Sequence, residues 1–432
     1  MSENQSKETI NASFKEAGSS ALVSGFGERN LQTYSVAILV PESLFGIGIS
    51  LCTIFGALAE LVGSVAPEKG FTRKSYFILS VLIQLSTWIL MIASILTPGP
   101  YNVILFIIAL NVFYTMLHTV IPPWTSWMGD VVQEGRMGEY SGRRNFIYGV
   151  GVILSSFASA FILDYSKSIG MLNIGFYSLF VFSVLFGITA LFFISKMHDV
   201  TYRLEESDKI PLANFIKQII KSDFGRFVIY KTAFTFGVCL AGSFFGYYML
   251  KDLKWSFTEF MISVNVQVIV MFGSQPFWGK FADKYGNKIA TSIGGFGVSL
   301  IPVLWLLSSN KCYLICVQAY DGIVWSAFVI GASNYVFDAV KPAQRARFTA
   351  YNNFITNLAA FAGTGLGGLL YELLPNDSIL FGYKIHFTFY ILLIISALFR
   401  FLPNLIFLPT FSEMRINKRK DSGSNAVEQS KN

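Results

Sequence analysis

The sequence predicts an all-α integral membrane protein with twelve transmembrane helices in two pseudo-symmetric six-helix bundles. Three observations carry this expectation. Apolar residues make up 53% of the chain and charged residues only 14%, against about 25% charge in an ordinary soluble domain. Eleven runs of about 20 apolar residues, each long enough to cross roughly 30 Å of hydrocarbon, follow one another along the chain. A charged, glycine-marked turn occurs twice, 216 residues apart, so the chain reads as two similar halves.

Residues 1–13 are polar and read as a segment on the cytoplasmic side. Glu3, Lys7, Glu8, Lys15 and Glu16 stand where a cleavable signal would need an apolar core, so none is expected. The apolar runs lie near 43–65, 76–97, 103–128, 145–164, 171–195, 225–250, 258–278, 289–308, 312–337, 348–372 and 385–408. The gap 196–224, with Lys196, Arg203, Glu205, Glu206, Lys209, Lys217 and Lys221, is the long polar interruption. It separates an N-terminal bundle at 14–195 from a C-terminal bundle at 225–410, and 411–432 is a basic cytoplasmic tail suited to anionic lipid.

An odd eleven conflicts with the repeat, which demands a span before residue 43 to match the one at 225–250. Residues 14–38 fill that place despite Glu28, Arg29, Asn30 and Gln32, because Phe26-Gly27 answers Phe236-Gly237 at nearly the same offset. Ser20, Ser24, Glu28 and Gln32 recur every four residues and share one helical face. That face is expected to meet water. With twelve spans and both termini inside, 25 of the 33 cations are cytoplasmic, five (Lys167, Lys251, Lys254, Lys311 and Lys384) lie on the other side, and Arg29, Lys231 and Arg400 lie within helices, the bias expected of an inner-membrane protein. Cys52, Cys239, Cys312 and Cys316 fall in apolar runs without a nearby histidine, so no metal site is expected.

The better copy of the turn runs Trp278-Gly279-Lys280-Phe281-Ala282-Asp283-Lys284-Tyr285-Gly286-Asn287-Lys288. The first copy keeps Gly63 and Gly70 seven apart with Arg73 and Lys74 trailing, but Pro67 stands where the Asp should be and Glu68 follows. The pattern Gly-x-x-x-Asp-x-x-Gly-x-Lys/Arg resembles the signature loop of the major facilitator superfamily of secondary transporters, which follows the second helix of each half. A second pair of repeats follows the fourth and tenth spans, with Asp130 and Arg136 in one copy and Asp338 and Arg345 in the other. The resemblance implies a cytoplasmic gate made of Gly63, Gly70, Asp130, Arg136, Gly279, Asp283, Lys284, Gly286, Lys288, Asp338 and Arg345. The alternative is a set of solvated loop charges, each worth little.

Interior charges are few. A mid-membrane ionisable group costs at least ~2.5 kcal/mol on insertion scales, so one that persists is expected to face a cavity, a partner or a proton path. Glu28 and Arg29 lie in the first span, His118 in the fourth and Asp321 in the tenth. Glu28, His118 and Asp321 stand roughly 21, 15 and 24 Å from the inner ends of their helices. The resemblance implies that spans 1, 4, 7 and 10 line the central cavity, which makes Glu28, Arg29, Gln32, Asn111, His118, Gln318, Asp321 and Trp325 the candidate solute and proton residues. Glu28 is expected to carry the coupled proton and Asp321 to answer Arg29. Pro122-Pro123 is expected to break the fourth span just below His118, freeing carbonyls that a cavity tolerates. For His118 a hydrogen-bonded structural histidine is an equal reading; for Trp325 packing is the alternative, and for Lys231 snorkelling. Glu60 is assigned to the gate rather than to the solute.

By that resemblance the function is secondary active transport of a small organic solute by alternating access, coupled to protons, in the plasma membrane. A proton-independent facilitator and a non-transporting receptor of the same fold are the alternatives. No enzyme is expected, since His118, His198 and His386 are scattered and no nucleophile–base pair or metal cluster accompanies them. Neither a cofactor nor a nucleic-acid partner is expected; the partners are solute, protons and lipid, with the chain acting as a monomer. The Gly363–Gly368 run lacks the Lys-Ser/Thr of a phosphate loop and reads as a close helix contact, as do Gly149 and Gly151. The fifth span also lacks the Gly-Pro-x-x-Gly-Gly pattern of many drug antiporters in the superfamily, which lowers the antiport reading.

Overall fold

The computed structural model describes residues 2–65, 72–133, 137–199, 222–339, 345–373, 378–380, 383–385 and 387–413. All eleven apolar runs form helices long and apolar enough to cross a membrane. A twelfth helical stretch precedes them where the repeat demands it. Helix α1 (Glu3–Phe26) starts well before residue 14, because Ser2 and Gln5 form a reciprocal capping box at its end. It buries small residues, among them Ala12, Ala17, Ala21 and Gly25, so neighbouring helices approach closely. A 3-10 turn at Glu28–Asn30 and helix α2 (Leu31–Ala37) continue the span.

The break between α1 and the turn is built by two residues. Gly27 sits where any side chain would strike Trp88 and Ser183. The buried Asn30 donates through Nδ2 to the carbonyls of Gly25 and Phe26, at 3.0 and 3.1 Å. Carbonyls released by the turn are thereby satisfied within the bundle.

In order follow α3 (Glu42–Val65), α4 (Arg73–Leu96), α5 (Tyr101–Thr119), α6 (Ile121–Val131), α7 (Met137–Ser168) and α8 (Leu172–Ser195). The second half holds α9 (Asp223–Gly242), α10 (Phe244–Tyr247), α11 (Phe257–Tyr285), α12 (Asn287–Leu307), α13 (Lys311–Ala339), α14 (Arg345–Leu373) and α15 (Phe387–Ile406). A short antiparallel pair, β1 (Ser378–Leu380) and β2 (Tyr383–Ile385), lies between α14 and α15. The fourth span breaks between α5 and α6, at Val120 ahead of Pro122-Pro123. The seventh is interrupted after Gly242 and ends in a π turn, Tyr248–Asp252.

The chain divides into two compact units, Met1–Leu204 with Ser243–Ile262, and Glu205–Gly242 with Ser263–Asn432. The same helix pairs recur in each. In the first unit α1 packs on α7 and α8, and α4 on α5 and α8; in the second α9 packs on α14 and α15, and α12 on α13 and α15. The core of the first centres on Tyr34, whose ring meets Phe106, Phe176 and Phe180 at 5.1–5.4 Å and whose hydroxyl bonds Ser94. That of the second centres on Tyr230, bonded to Asn404 and packed beside Phe234 and Phe328. Large side chains such as Phe146, Leu154, Phe161, Leu185 and Leu405 are exposed, which suits lipid and would be a liability in water. Of the glycines expected at close contacts, Gly363 and Gly151 hold them: an added Cβ would lie 2.5 Å from the Phe236 carbonyl oxygen and 2.7 Å from Ala21. Gly149 faces open space and makes no such contact.

Candidate functional site

Inside the first unit lies a cavity of about 280 Å³ whose polar wall is one face of α1. Glu16, Ser20, Ser24 and Glu28 line it at four-residue intervals, so three of the four predicted stripe residues line the cavity, Glu16 joins them one step further back, and Gln32 does not. Ser24 donates to Glu28 Oε2 at 2.8 Å and Ser20 donates to Glu16 Oε1 at 2.6 Å. Arg144 of α7 donates to Glu16 Oε2 at 2.7 Å while its guanidinium lies 4.6 Å over the Trp124 ring. Glu16 is thus neutralised by an ion pair, whereas Glu28 has a hydroxyl partner and no ion pair among the described residues. Trp88, Phe113 and Tyr148 supply aromatic wall. Sequence reasoning missed Glu16 because it took residues near 14 for the polar end of a span; continuing the stripe back from Ser20 would have found it.

The other predicted residues fall elsewhere. Arg29 is half-buried beside Glu28 and outside the cavity wall. Gln32 donates to the Ser243 carbonyl at 2.8 Å, at the interruption of the seventh span, and so serves the backbone. Asn111 bonds back to the Ile107 carbonyl at 2.9 Å, leaving a buried Oδ1 without a hydrogen bond among the described residues. His118 is not alone: its Nδ1 lies 2.8 Å from Glu60 Oε1, with Gly56 under the ring. The carboxylate assigned to the gate is therefore the partner of the histidine assigned to the solute.

In the second unit Asp321 has a buried Oδ1 without a hydrogen bond among the described residues. In the same unit Arg400 of α15 is buried and donates to Ser396 and to the carbonyls of Val298 and Val238 at 3.0–3.3 Å. Sequence reasoning had counted Arg400 merely as an intramembrane cation; its depth in the twelfth span was the available signal. Gln318 stands one turn before Asp321, and Trp325 packs edge-on against Phe328 at 5.6 Å.

Four residues of the predicted gate set, Asp130, Gly286, Lys288 and Asp338, take part in one arrangement built twice. In the first unit Thr72 caps α4; Arg73, buried, donates to Asp130 at 2.7 Å and to Ser126 at 2.9 Å. Lys74 donates to the carbonyls of Ser195 and Met197, both at 2.7 Å, and Trp127 to that of His198 at 3.0 Å. In the second unit Gly286 caps α12; Asn287 donates to Asp338 at 2.7 Å, Lys288 to the Phe411 carbonyl at 2.6 Å, and Tyr335 to that of Ser412 at 3.1 Å. The Lys288 amide also donates to Glu413 at 2.6 Å. Gly286 has φ of 107°, and a Cβ there would lie 2.6 Å from the Glu413 carboxylate, so glycine is required twice over.

Each repeat Asp is therefore held by the residue that opens the helix after the turn. Gly70 and Arg136 lie outside the described residues, as does the side chain of Arg345 at the start of α14. Gly63 is packed against Thr119, where a side chain would strike the carbonyl, whereas nothing crowds Gly279. Asp283 is exposed at the end of α11, and Lys284 lies 5.0 Å from the Tyr285 ring.

The family description "MFS/sugar transport protein" matches residues 73–320, more than half of the chain, and "Major Facilitator Superfamily" matches 231–430. Quinolone resistance protein NorA of Staphylococcus aureus is 25% identical over 123 residues, 28% of this chain and 32% of that protein. The match thus spans about a third of the length of that relative. The nucleoside transporter NupG superposes with a TM-score of 0.67 at 13% identity, covering 94% of this chain and 98% of that one. A D-xylose-proton symporter superposes with a TM-score of 0.68 at 13% identity, covering 95% and 98%. At such identities the structures establish the shared fold. Together with the paired helices, the family match identifies a multi-pass integral membrane protein: it belongs to the major facilitator superfamily.

Proposed function

We propose that the protein is a secondary active transporter of a small organic solute, working by alternating access and coupled to protons through Glu28. The observation that carries this reading is the contrast between the two carboxylates of one cavity. Glu16 is charge-matched by Arg144, while Glu28, deeper along the same face, is held among the described residues by Ser24. An unmatched carboxylate at membrane depth is costly, and a proton removes that cost. A carboxyl group that alternates between dry and hydrated settings takes up a proton in the first and gives it up in the second. Asp321, with its buried Oδ1, is the candidate solute-contacting carboxylate of the second unit.

The named relatives support an organic solute: one carries nucleosides, another D-xylose with protons, and a third bears on quinolone resistance. The cation bias favours the plasma membrane with both termini and both glycine turns on the cytoplasmic side. A thermal-shift screen of purified protein against sugars, nucleosides and aromatic bases identifies a solute for flux. Glu28→Gln, nearly the same shape, then abolishes gradient-driven accumulation in proteoliposomes and spares counterflow exchange. Accumulation at the wild-type rate would remove Glu28 from coupling and leave a facilitator.

A further inference from the structure

The cavity of the first unit runs along α1 for three helical steps of about 6 Å, so Glu16 and Glu28 stand ~18 Å apart along the axis. Between them the wall offers two hydroxyls on the same face, each already donating to a carboxylate, Ser20 to Glu16 and Ser24 to Glu28. A hydroxyl donates and accepts at once, so it passes a proton without holding charge. The remaining gap is one turn of helix, and a cavity of about 280 Å³ has room for several waters at ~30 Å³ each to span it. At the Glu16 end the closing pair is joined by one 2.7 Å bond: Arg144 rests on Trp124 and keeps a buried Nε without a hydrogen bond among the described residues.

We propose that this cavity is a proton path through the first unit, leading from the end that carries the glycine turn to Glu28 and closed by the Glu16–Arg144 pair. The inference rests on the reading of Glu28 as the proton carrier. On release, the Glu28 carboxyl gives its proton to Ser24 Oγ as Ser24 gives its own to cavity water. The proton moves by water and Ser20 to Glu16, whose neutralisation loosens Arg144 and lets the proton leave. Uptake is the reverse, and no charge other than the proton's is displaced. The cavity that Glu28 lines is also lined by Tyr148 and Arg144 of α7, Gln84 and Trp88 of α4, and Gly187 and Ala190 of α8, and Arg29 follows Glu28 in sequence.

The path is testable without knowing the solute. Dicyclohexylcarbodiimide adds a protonated carboxyl across its C=N bond, so brief labelling of Glu28, read by peptide mass, reports its protonation. The full chain is reconstituted in liposomes with the two compartments buffered separately. Labelling of the wild type should fall at least about tenfold as pH on the glycine-turn side rises from about 5 to 8, and change less than about twofold for the same step on the other side. In Ser20→Cys, with the exposed Cys312 and Cys316 changed to serine, aminoethyl methanethiosulfonate added from the turn side forms a mixed disulfide and fills the path. Labelling in a short pulse after a turn-side pH step should then lose its response. The wild-type comparison needs no variant, and the adduct is formed on protein already folded. Labelling that follows the opposite compartment, or follows the turn side undiminished by the adduct, overturns the path and leaves Glu28 as carrier. Labelling indifferent to pH on both sides overturns Glu28 as carrier as well.

Discussion

The Arg73–Asp130 pair predicts that the two ways of breaking it are unequal. The guanidinium side chain is 0% exposed and the carboxylate 49% exposed, although they are joined by one 2.7 Å bond. Asp130→Ala takes a carboxylate away from a buried cation that keeps its bond to Ser126, a change that costs about 3–5 kcal/mol where a buried pair is broken. Arg73→Met leaves a carboxylate that water already reaches, and the methionine replaces much of the apolar stem. The loss is then mainly the bonds themselves, about 1–2 kcal/mol. The difference, about 2 kcal/mol, corresponds to up to roughly thirtyfold in rate or population. Because detergent-solubilised membrane proteins commonly unfold irreversibly, the measurement is the half-life of the folded form at a fixed temperature, followed by size exclusion. Asp130→Ala should be the shorter-lived, and adding Arg73→Met to it should restore the Arg73→Met half-life. An Arg73→Met protein that fails as fast as Asp130→Ala would refute the assignment of Arg73 as the buried member whose charge needs compensation.

Two further outcomes follow from contacts within single units. Asp164 of α7 accepts the amides of Phe257 and Thr258, both at 2.9 Å, and so caps α11 from outside; Asp164→Ala should cost about 1–2 kcal/mol locally and speed amide exchange over residues 256–262, while Asp164→Asn keeps part of the protection. Lys288→Ala should loosen residues 411–413 toward protease, because it removes the ammonium that holds the Phe411 carbonyl while the backbone amide bond to Glu413 stays, and Lys74→Ala should do the same at 195–199; an effect in one unit without the other would show that the two arrangements are not equivalent.

The fold was legible because its signals are additive over many residues. Twenty apolar residues in a row announce a span whatever their order, and the repeat supplied the one span that hydropathy rejects. The site was legible only where a period reveals it. Ser20, Ser24 and Glu28 share a face because they are spaced by four, and that face lines the cavity. Partners across helices left no such trace. Glu60 and His118 are 58 residues apart in sequence, Glu16 and Arg144 128, and nothing in the spacing of either pair announces contact. Gln32 shows the converse: it belongs to the stripe by period, but the interruption of the seventh span at Ser243 claims its amide.

The contacts at the start of α4 recur at the start of α12, although the first copy of the turn looks weaker in sequence. Both units must hold the chain end that follows their last helix, residues 195–199 in one and 411–413 in the other, against the start of the helix after the turn. Lysine does this in both, at Lys74 and Lys288, by donating to carbonyls freed at the helix end. The residue before it meets the repeat Asp, and there the halves differ: Arg73 forms an ion pair with Asp130, while Asn287 forms a neutral-donor hydrogen bond with Asp338. A search for matching residue types scores that position as a mismatch. A search for matching roles scores it as conserved between the halves, since each needs a donor of the right reach facing an Asp. The stronger, charge-assisted bond lies in the unit whose turn lacks the signature Asp at Pro67. The second unit keeps Asp283 in its turn and makes do with the neutral donor.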